Sequence, residues 1–184
     1  MGIYRISGSL TQIKQLEQLY NTNKSVDFLA MRIDPNSVAS LLKMWIRERI
    51  TYIFNLVPEC ILTNALLPKF RLVFSELSGE MLPFGEYLTG DSDHPVASNP
   101  FIIEQLKKII VYLPDENYTL LSVFLPHLSR VAKNFKINKM GYTNLNTVWA
   151  PTLNFGSAIL ITMIVQSEIL FPVMRIQPYK ECVG

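Results

Sequence analysis

Cysteine is scarce, charge is thin and no apolar run is long, and each shortage removes a class of function. The 184-residue chain has two cysteines, Cys60 and Cys182. They are too few and too far apart for a disulfide scaffold or a cysteine-rich zinc site, which suits a reducing, intracellular setting. Charged residues make up 17% of the chain, and a formal charge of +2 is spread along it without a basic run. The electrostatic footprint of nucleic-acid binding is therefore missing. The longest apolar stretch, Ala158-Ile159-Leu160-Ile161 and, past Thr162, Met163-Ile164-Val165, falls well short of the roughly 20 residues that span a bilayer and reads as a buried helix. The first residues lack the charged region, apolar stretch and small-residue cleavage site of a secretory signal, which points to a cytoplasmic protein.

Groups for catalysis by the chain itself are equally sparse. There are two histidines. His94 sits in an acidic loop and His127 in the middle of an apolar helix, and neither has a metal-ligand partner at a usual spacing, so both read as structural or solvated. The glycines of residues 2–8 are too far apart, and lack the following lysine, to cradle a phosphate, so neither GTP nor ATP binding is expected, and no cofactor. Ser7, between Ile6 and Gly8, has neither a base motif nor a preceding strand long enough for a nucleophile elbow.

What the chain does have is apolar material, 49% of its residues, enough for the core of one ordinary domain. Ser9 and Gln12 have the form of a capping box, with Leu10, Ile13, Leu16, Leu19 and Tyr20 following at helical spacing, so a helix is predicted over residues 10–20. Asp34-Pro35 is a cap followed by proline at the first helical position. Val38, Leu41, Leu42 and Trp45 form the apolar stripe of that second helix. Lys43 and Arg47, four residues apart, stack on the opposite face. Arg49 would rotate onto the apolar side, so the regular helix is expected to change or end near Glu48, and residues 49–55, with a strand-like Thr-Tyr-Ile-Phe run, read as a loop or a helix extension.

Further helices follow from the same signals. Apolar positions recur over residues 61–77, with Pro68 as a break. Residues 78–99 form a long surface connection. Residues 101–112 read as a helix ended by Pro114. Asp115 caps the next, with core positions Leu120, Leu121, Phe124, Leu128, Val131 and Phe135 and a bend at Pro126. A short helix over residues 140–149 should be stopped by Pro151, and a last one should cover residues 157–170. The sum is an all-α bundle of about seven helices.

The remaining candidate is Arg5, in a short segment between Gly2 and Gly8, which can take backbone angles closed to other residues and so present a side chain outward. A lone loop arginine is ordinarily a solvated surface residue, and Lys43 and Arg47 on a polar helix face have the same plain reading.

Gly2-Ile3-Tyr4-Arg5-Ile6-Ser7-Gly8-Ser9 resembles the signature loop of RhoGAP domains. Three further stretches agree in order and spacing. Asp34 with Val38-Ala39-Ser40-Leu41-Leu42-Lys43-Met44-Trp45-Ile46-Arg47-Glu48 is similar to the second motif. Leu113-Pro114-Asp115-Glu116-Asn117 with His127-Leu128 matches a later helix. Asn138-Lys139-Met140, Asn144-Leu145 and Pro151 resemble the third motif, and residues 149–154 resemble fungal members in wording. The resemblance covers residues 1–184 as one domain. Family domains normally carry one or two helices ahead of the arginine loop, so it implies an N-terminally truncated domain, with residues 49–55 inserted before Leu56-Val57-Pro58-Glu59. Cys60 stands where a second proline is usual.

The same resemblance implies a function. The chain would be a GTPase-activating protein, not itself an enzyme, that accelerates GTP hydrolysis by a GTP-bound Rho-family small GTPase. Arg5 would be the catalytic finger, Lys43 would steady its loop, Arg47 would orient the surrounding helix and the switch contacts, Asn144 would hydrogen-bond the GTPase switch region and Pro151 would be a docking contact. GTP and magnesium would be held by the GTPase, and this chain would act as a cytoplasmic monomer that can be recruited to the cell cortex. The alternative is a catalytically weak module of the same fold that only docks a GTPase or scaffold.

Overall fold

The computed structural model describes residues 2–56, 100–113, 115–153 and 157–172. The helix expected over residues 61–77, the connection 78–99 with His94, Pro114, both cysteines and the tail beyond residue 172 lie outside the described residues. Among the described residues the secondary structure is eight helices and no strand: α1 (Leu10–Asn21), α2 (Pro35–Leu56), α3 (Pro100–Ile110), α4 (Asp115–Lys133), α5 (Phe135–Asn138), α6 (Tyr142–Leu153), α7 (Ser157–Val165) and α8 (Ser167–Leu170). No helix of the described residues is long and apolar enough to cross a membrane.

The middle of the bundle is α4. Tyr118, Leu121, Leu125, Leu128 and Ala132, spaced alternately three and four residues apart, are all buried on one face, the stripe that a 3.6-residue period produces. Leu120 and Val131 are partly buried against that core. α4 packs against α6, α7 and α8, while α2 packs against both α6 and α1. The apolar stretch of α7 is buried as its composition predicts, with Ile159, Leu160, Met163 and Ile164 all in the core.

One local signal reads as expected, and one more is found. Asp34 caps α2, its Oδ1 accepting from the Asn36 amide at 3.2 Å, with Pro35 at the position where a missing N–H is harmless. α1 closes through Asn23 at φ 51°, with the Asn23 amide donating to the Tyr20 carbonyl at 3.0 Å and the Lys24 amide to the Leu19 carbonyl at 3.0 Å. That is a Schellman motif with asparagine in the left-handed place.

Several expectations are corrected. Ser9 makes no side-chain cap on α1, because Gln12 is drawn across to α2. Its Oε1 accepts from the Asp34 amide at 3.1 Å and from Ser37 Oγ at 2.9 Å. Tertiary partners with unmet backbone groups outcompete the local box. α2 does not end near Glu48; of the two readings of residues 49–55 the helix extension holds, and the helix runs unbroken to Leu56, since a growing helix adds one hydrogen bond per residue fixed and overrides a weak strand preference. Its core face is also rotated from the predicted stripe. Ala39 and Ile46 are buried, Leu42 is partly buried, and Trp45 is exposed.

Pro151 lies inside α6 rather than stopping it. One lost backbone bond in the last turn, on an exposed face, does not outweigh the burial of Ala150 and Leu153 on the other. The single helix expected over residues 157–170 is two, broken at Gln166. The break turns α8 back onto α3 and α4 and sets the Phe171 ring 5.2 Å from that of Tyr118.

Candidate functional site

The loop over residues 2–8 is a closed turn pinned to three helices. The Gly2 carbonyl accepts from the Arg5 amide at 3.0 Å and from the Ile6 amide at 2.9 Å, while the Gly2 amide donates to the Asn138 carbonyl at 2.8 Å. Asn138 is itself held, its Nδ2 donating to the Val131 carbonyl at 2.7 Å and its Oδ1 accepting from the Met140 amide at 2.8 Å. The loop therefore inherits its position from the junction of α4, α5 and α6. Gly2 has φ +104°, a backbone angle that side-chain-bearing residues rarely take.

Tyr4 also sits in the left-handed region, at φ 70°, where a bulky residue costs of order 1–3 kcal/mol and persists only if its surroundings hold it. They do. Its ring is 3% exposed and meets the Trp149 indole edge-on, with centroids 5.0 Å apart. The indole in turn meets Phe124 at 4.7 Å. Tyr4 Oη is hydrogen-bonded to His127 Nε2, and the Tyr4 carbonyl accepts from Lys43 Nζ at 3.1 Å. Burial pushes the Tyr4 phenol up to about 12. Burial, and secondarily the charge of Arg130, lower the His127 imidazole from its usual value. Both shifts favour the neutral forms of the two rings, the tyrosine in the core and the half-buried histidine at its edge.

Gly8 serves a different purpose from Gly2. A Cβ built on it would lie 2.3 Å from Ser37 Cα and 2.4 Å from Ser37 N, so only glycine lets the end of the loop approach the first turn of α2. There the Gly8 amide donates to Ser40 Oγ at 3.0 Å and the Ser9 amide to Ser37 Oγ at 3.0 Å. The two glycines flanking the arginine were expected to act alike, through conformational freedom; Gly8 acts through close approach.

With Tyr4 turned inward, Arg5 is exposed and borders an open depression of ≈ 470 Å³ lined by Arg5, Phe135, Lys136, Lys139, Thr143 and Asn144, together with Gly141. The Asn144 amide is fixed on this rim by donating to the Lys139 carbonyl at 2.9 Å. Three of the lining side chains are cationic and none is acidic, so the depression suits an anionic or acidic partner surface. Arg47 stands one helical turn beyond Lys43 on α2, exposed, and Pro151 is exposed near the end of α6. The structure therefore gathers Arg5 with Asn144 directly and ties Lys43 to the loop through Tyr4, whereas Arg47 and Pro151 do not line the depression.

Tyr4, Trp149 and Lys136 carry no site signal of their own in the sequence, Gly8, Asn138 and Lys139 stand there only as parts of the arginine loop and the third motif, and His127 reads as structural or solvated. No local signal marks their partners, which lie on other helices; Tyr4 and His127 are 123 residues apart. Among the described residues no group of histidine, cysteine or carboxylate side chains could hold a metal ion.

Comparison with known proteins identifies the family and the fold. The family model described as the RhoGAP domain matches residues 1–157. Human GEM-interacting protein is 32% identical over 173 residues, 90% of this chain and 16% of its own length. The probable Rho-type GTPase-activating protein 2 of Schizosaccharomyces pombe is 31% identical over 172 residues, 92% of this chain and 11% of its own. Human breakpoint cluster region protein is 32% identical over 154 residues, 83% of this chain and 10% of its own. The chain thus spans about a sixth or less of these relatives. In fold, it is similar to the BH domain from GRAF, the GTPase regulator associated with focal adhesion kinase, at TM-score 0.65 and 19% identity, covering 95% of this chain and 85% of that one. It is also similar to human Rho GTPase activating protein 15, at TM-score 0.60 and 21% identity, covering 90% and 70%. The arginine loop pinned beside a cationic depression, the fold around it and a family match over most of the sequence agree, and the chain belongs to the RhoGAP domain family.

Proposed function

We propose that this chain activates Rho-family small GTPases by inserting Arg5 into the active site of the GTP-bound partner. The observation that carries the reading is the contrast between adjacent residues: Tyr4 is buried and clamped while Arg5 is exposed, so the loop is built to hold one side chain in and direct the next one out.

The chemistry follows from phosphoryl transfer. Charge builds on the phosphate oxygens in the transition state, and a GTPase with its own magnesium and water-positioning glutamine neutralises it incompletely. A guanidinium is always charged and presents a planar fork of donors that matches those oxygens, which an ammonium does not. In the related Ras system such a finger is worth roughly 10³–10⁵ in rate, about 4–7 kcal/mol. Lys43 steadies the loop through the Tyr4 carbonyl. In this reading Asn144, on the rim of the depression, bonds the switch region, Arg47 orients α2 and the switch contacts, and Pro151 is a docking contact. The chain acts as a monomer and needs no cofactor of its own, GTP and magnesium being held by the GTPase.

The test is phosphate release from a panel of GTP-loaded Rho-family GTPases with and without the chain. Acceleration of at least one member by the parent chain, absent with Arg5→Ala, supports the proposal, and the chain alone should turn over no GTP. Equal acceleration by parent and Arg5→Ala would overturn the finger assignment, and binding of a GTPase with no acceleration by the parent would make this a docking module.

A further inference from the structure

We propose that the Tyr4–His127 pair is a positioning device for the finger, aiming Arg5 without touching the GTPase. The inference rests on the activation reading above and deepens it.

Arg5 follows Tyr4 in one turn, its amide donating to the Gly2 carbonyl at 3.0 Å, so its direction is tied to that of Tyr4. The side chains of adjacent residues leave the backbone in different directions, so fixing one ring in three dimensions fixes where the next side chain starts. A ring held only by packing can still rotate and slide within its pocket, whereas a directional bond at its far end removes that freedom. Here the far end is Oη, and the group that meets it is His127 Nε2, on α4. The other fixtures are on different helices: Lys43 of α2 at the Tyr4 carbonyl, Trp149 of α6 at the ring edge. Of these, the His127 bond alone connects the finger loop to the central helix by a side chain.

The backbone angle makes this bond consequential. Tyr4 at φ 70° is in a conformation that a tyrosine leaves when its restraints weaken. Relaxation would swing the peptide between Tyr4 and Arg5, and with it the root of the guanidinium. Catalysis by an exposed finger depends on arriving in the right geometry, and a misplacement of about 1 Å can cost on the order of a hundredfold in rate. Tyr4 is 3% exposed and His127 is half-buried, each occupied by the other through the Oη–Nε2 bond, so the device acts through Arg5 and not by contact with the GTPase. A role of this kind would weaken the rate at saturation while leaving docking alone.

The experiment is single-turnover GTP hydrolysis by a Rho-family GTPase with the 184-residue chain, titrated to saturation. It compares Tyr4→Phe, His127→Leu, His127→Gln and the double variant Tyr4→Phe with His127→Leu. Melting temperatures are measured alongside. Tyr4→Phe keeps the ring and removes only the hydroxyl, so it preserves the packing even where His127→Leu disturbs it. Tyr4→Phe and His127→Leu are each expected to lower the maximal rate about tenfold with the half-saturating concentration within about twofold, and the double variant should fall no further, because both remove the same bond. His127→Gln, whose amide can still bond Oη, should recover part of the rate. In an Arg5→Ala background, Tyr4→Phe should leave the residual rate unchanged. That last result is one that mere loss of stability would not give.

The proposal is overturned if Tyr4→Phe leaves the maximal rate within about twofold of the parent, if it weakens half-saturation instead, or if the two losses multiply in the double variant. A parent chain that accelerates no GTPase would overturn the activation reading itself, a result separate from any difference among these variants.

Discussion

Replacing Gly8 by alanine tests how tightly the loop must lie on α2. The new Cβ would start 2.3 Å from Ser37 Cα and 2.4 Å from Ser37 N, against an ordinary carbon separation of about 3.5–4.0 Å. Both nearest atoms are backbone at the first turn of a helix, so no side chain can swing aside and the loop must lift by about 1 Å or more. Lifting it stretches two bonds already at 3.0 Å, from the Gly8 amide to Ser40 Oγ and from the Ser9 amide to Ser37 Oγ. Two such bonds are worth about 1–3 kcal/mol together, since each contributes about 0.5–1.5. Residual overpacking adds about 1–3 kcal/mol. Against this, alanine narrows the unfolded ensemble and returns about 0.4–1 kcal/mol. The net loss is about 1–6 kcal/mol, centred near 3, and at about 2–4 °C per kcal/mol for a chain of this size the central value lowers Tm by about 10 °C. Thermal unfolding followed by circular dichroism measures it, with Ser40→Ala as the comparison, because that change removes one bond without a clash and should cost about 1 kcal/mol. A Gly8→Ala protein melting within about 2 °C of the parent would show that the loop does not need this approach.

Other outcomes follow from the same geometry. Arg5→Ala should remove most of the acceleration while affinity for the GTP-bound GTPase stays within about tenfold, and Arg5→Lys should recover little, because an ammonium lacks the fork; single-turnover rates and binding titrations separate the two effects. Lys43→Met deletes the 3.1 Å bond to the Tyr4 carbonyl and should lower the maximal rate about tenfold with a small change in Tm, since the bond orders the loop more than the core. Asn144→Ala should weaken the complex itself, read as a higher half-saturating concentration, because a docking contact acts on ground and transition states alike.

The pH dependence of stability has a definite sign. His127 is held below its ordinary imidazole value, so the unfolded chain binds the extra proton first. Its contribution is complete above about pH 6.5 and is lost as pH falls from there through the lower folded value. Melting curves over that range should show Tm dropping in the parent and dropping less in His127→Gln.

The sequence by itself determined most of the local elements and the family. A cap with proline behind it started α2, periodic apolar positions marked α1, α3 and α4, and the string around Arg5 carried the family resemblance, all within a few residues of one another. Fungal wording at residues 149–154 is neither supported nor opposed by the relatives, which include human and fission-yeast proteins. Where the reading of elements failed, the cause was a partner elsewhere in the chain. Gln12 left its own helix for the Asp34 amide and Ser37, and the core face of α2 runs through Ala39 and Ile46, which join one core cluster with residues of α4, α6 and α7.

The support of the site was decided by tertiary structure alone. Lys43 reaches Tyr4 over 39 residues and His127 over 123, and the cations Lys136 and Lys139 join Arg5 around one depression only because α5 and the turn after it pass beside the loop. Periodicity and capping report the few neighbours a residue has along its own helix. A buried tyrosine in a left-handed backbone conformation, by contrast, is stable only through contacts from three other helices, and no pattern within any one of them records the other two.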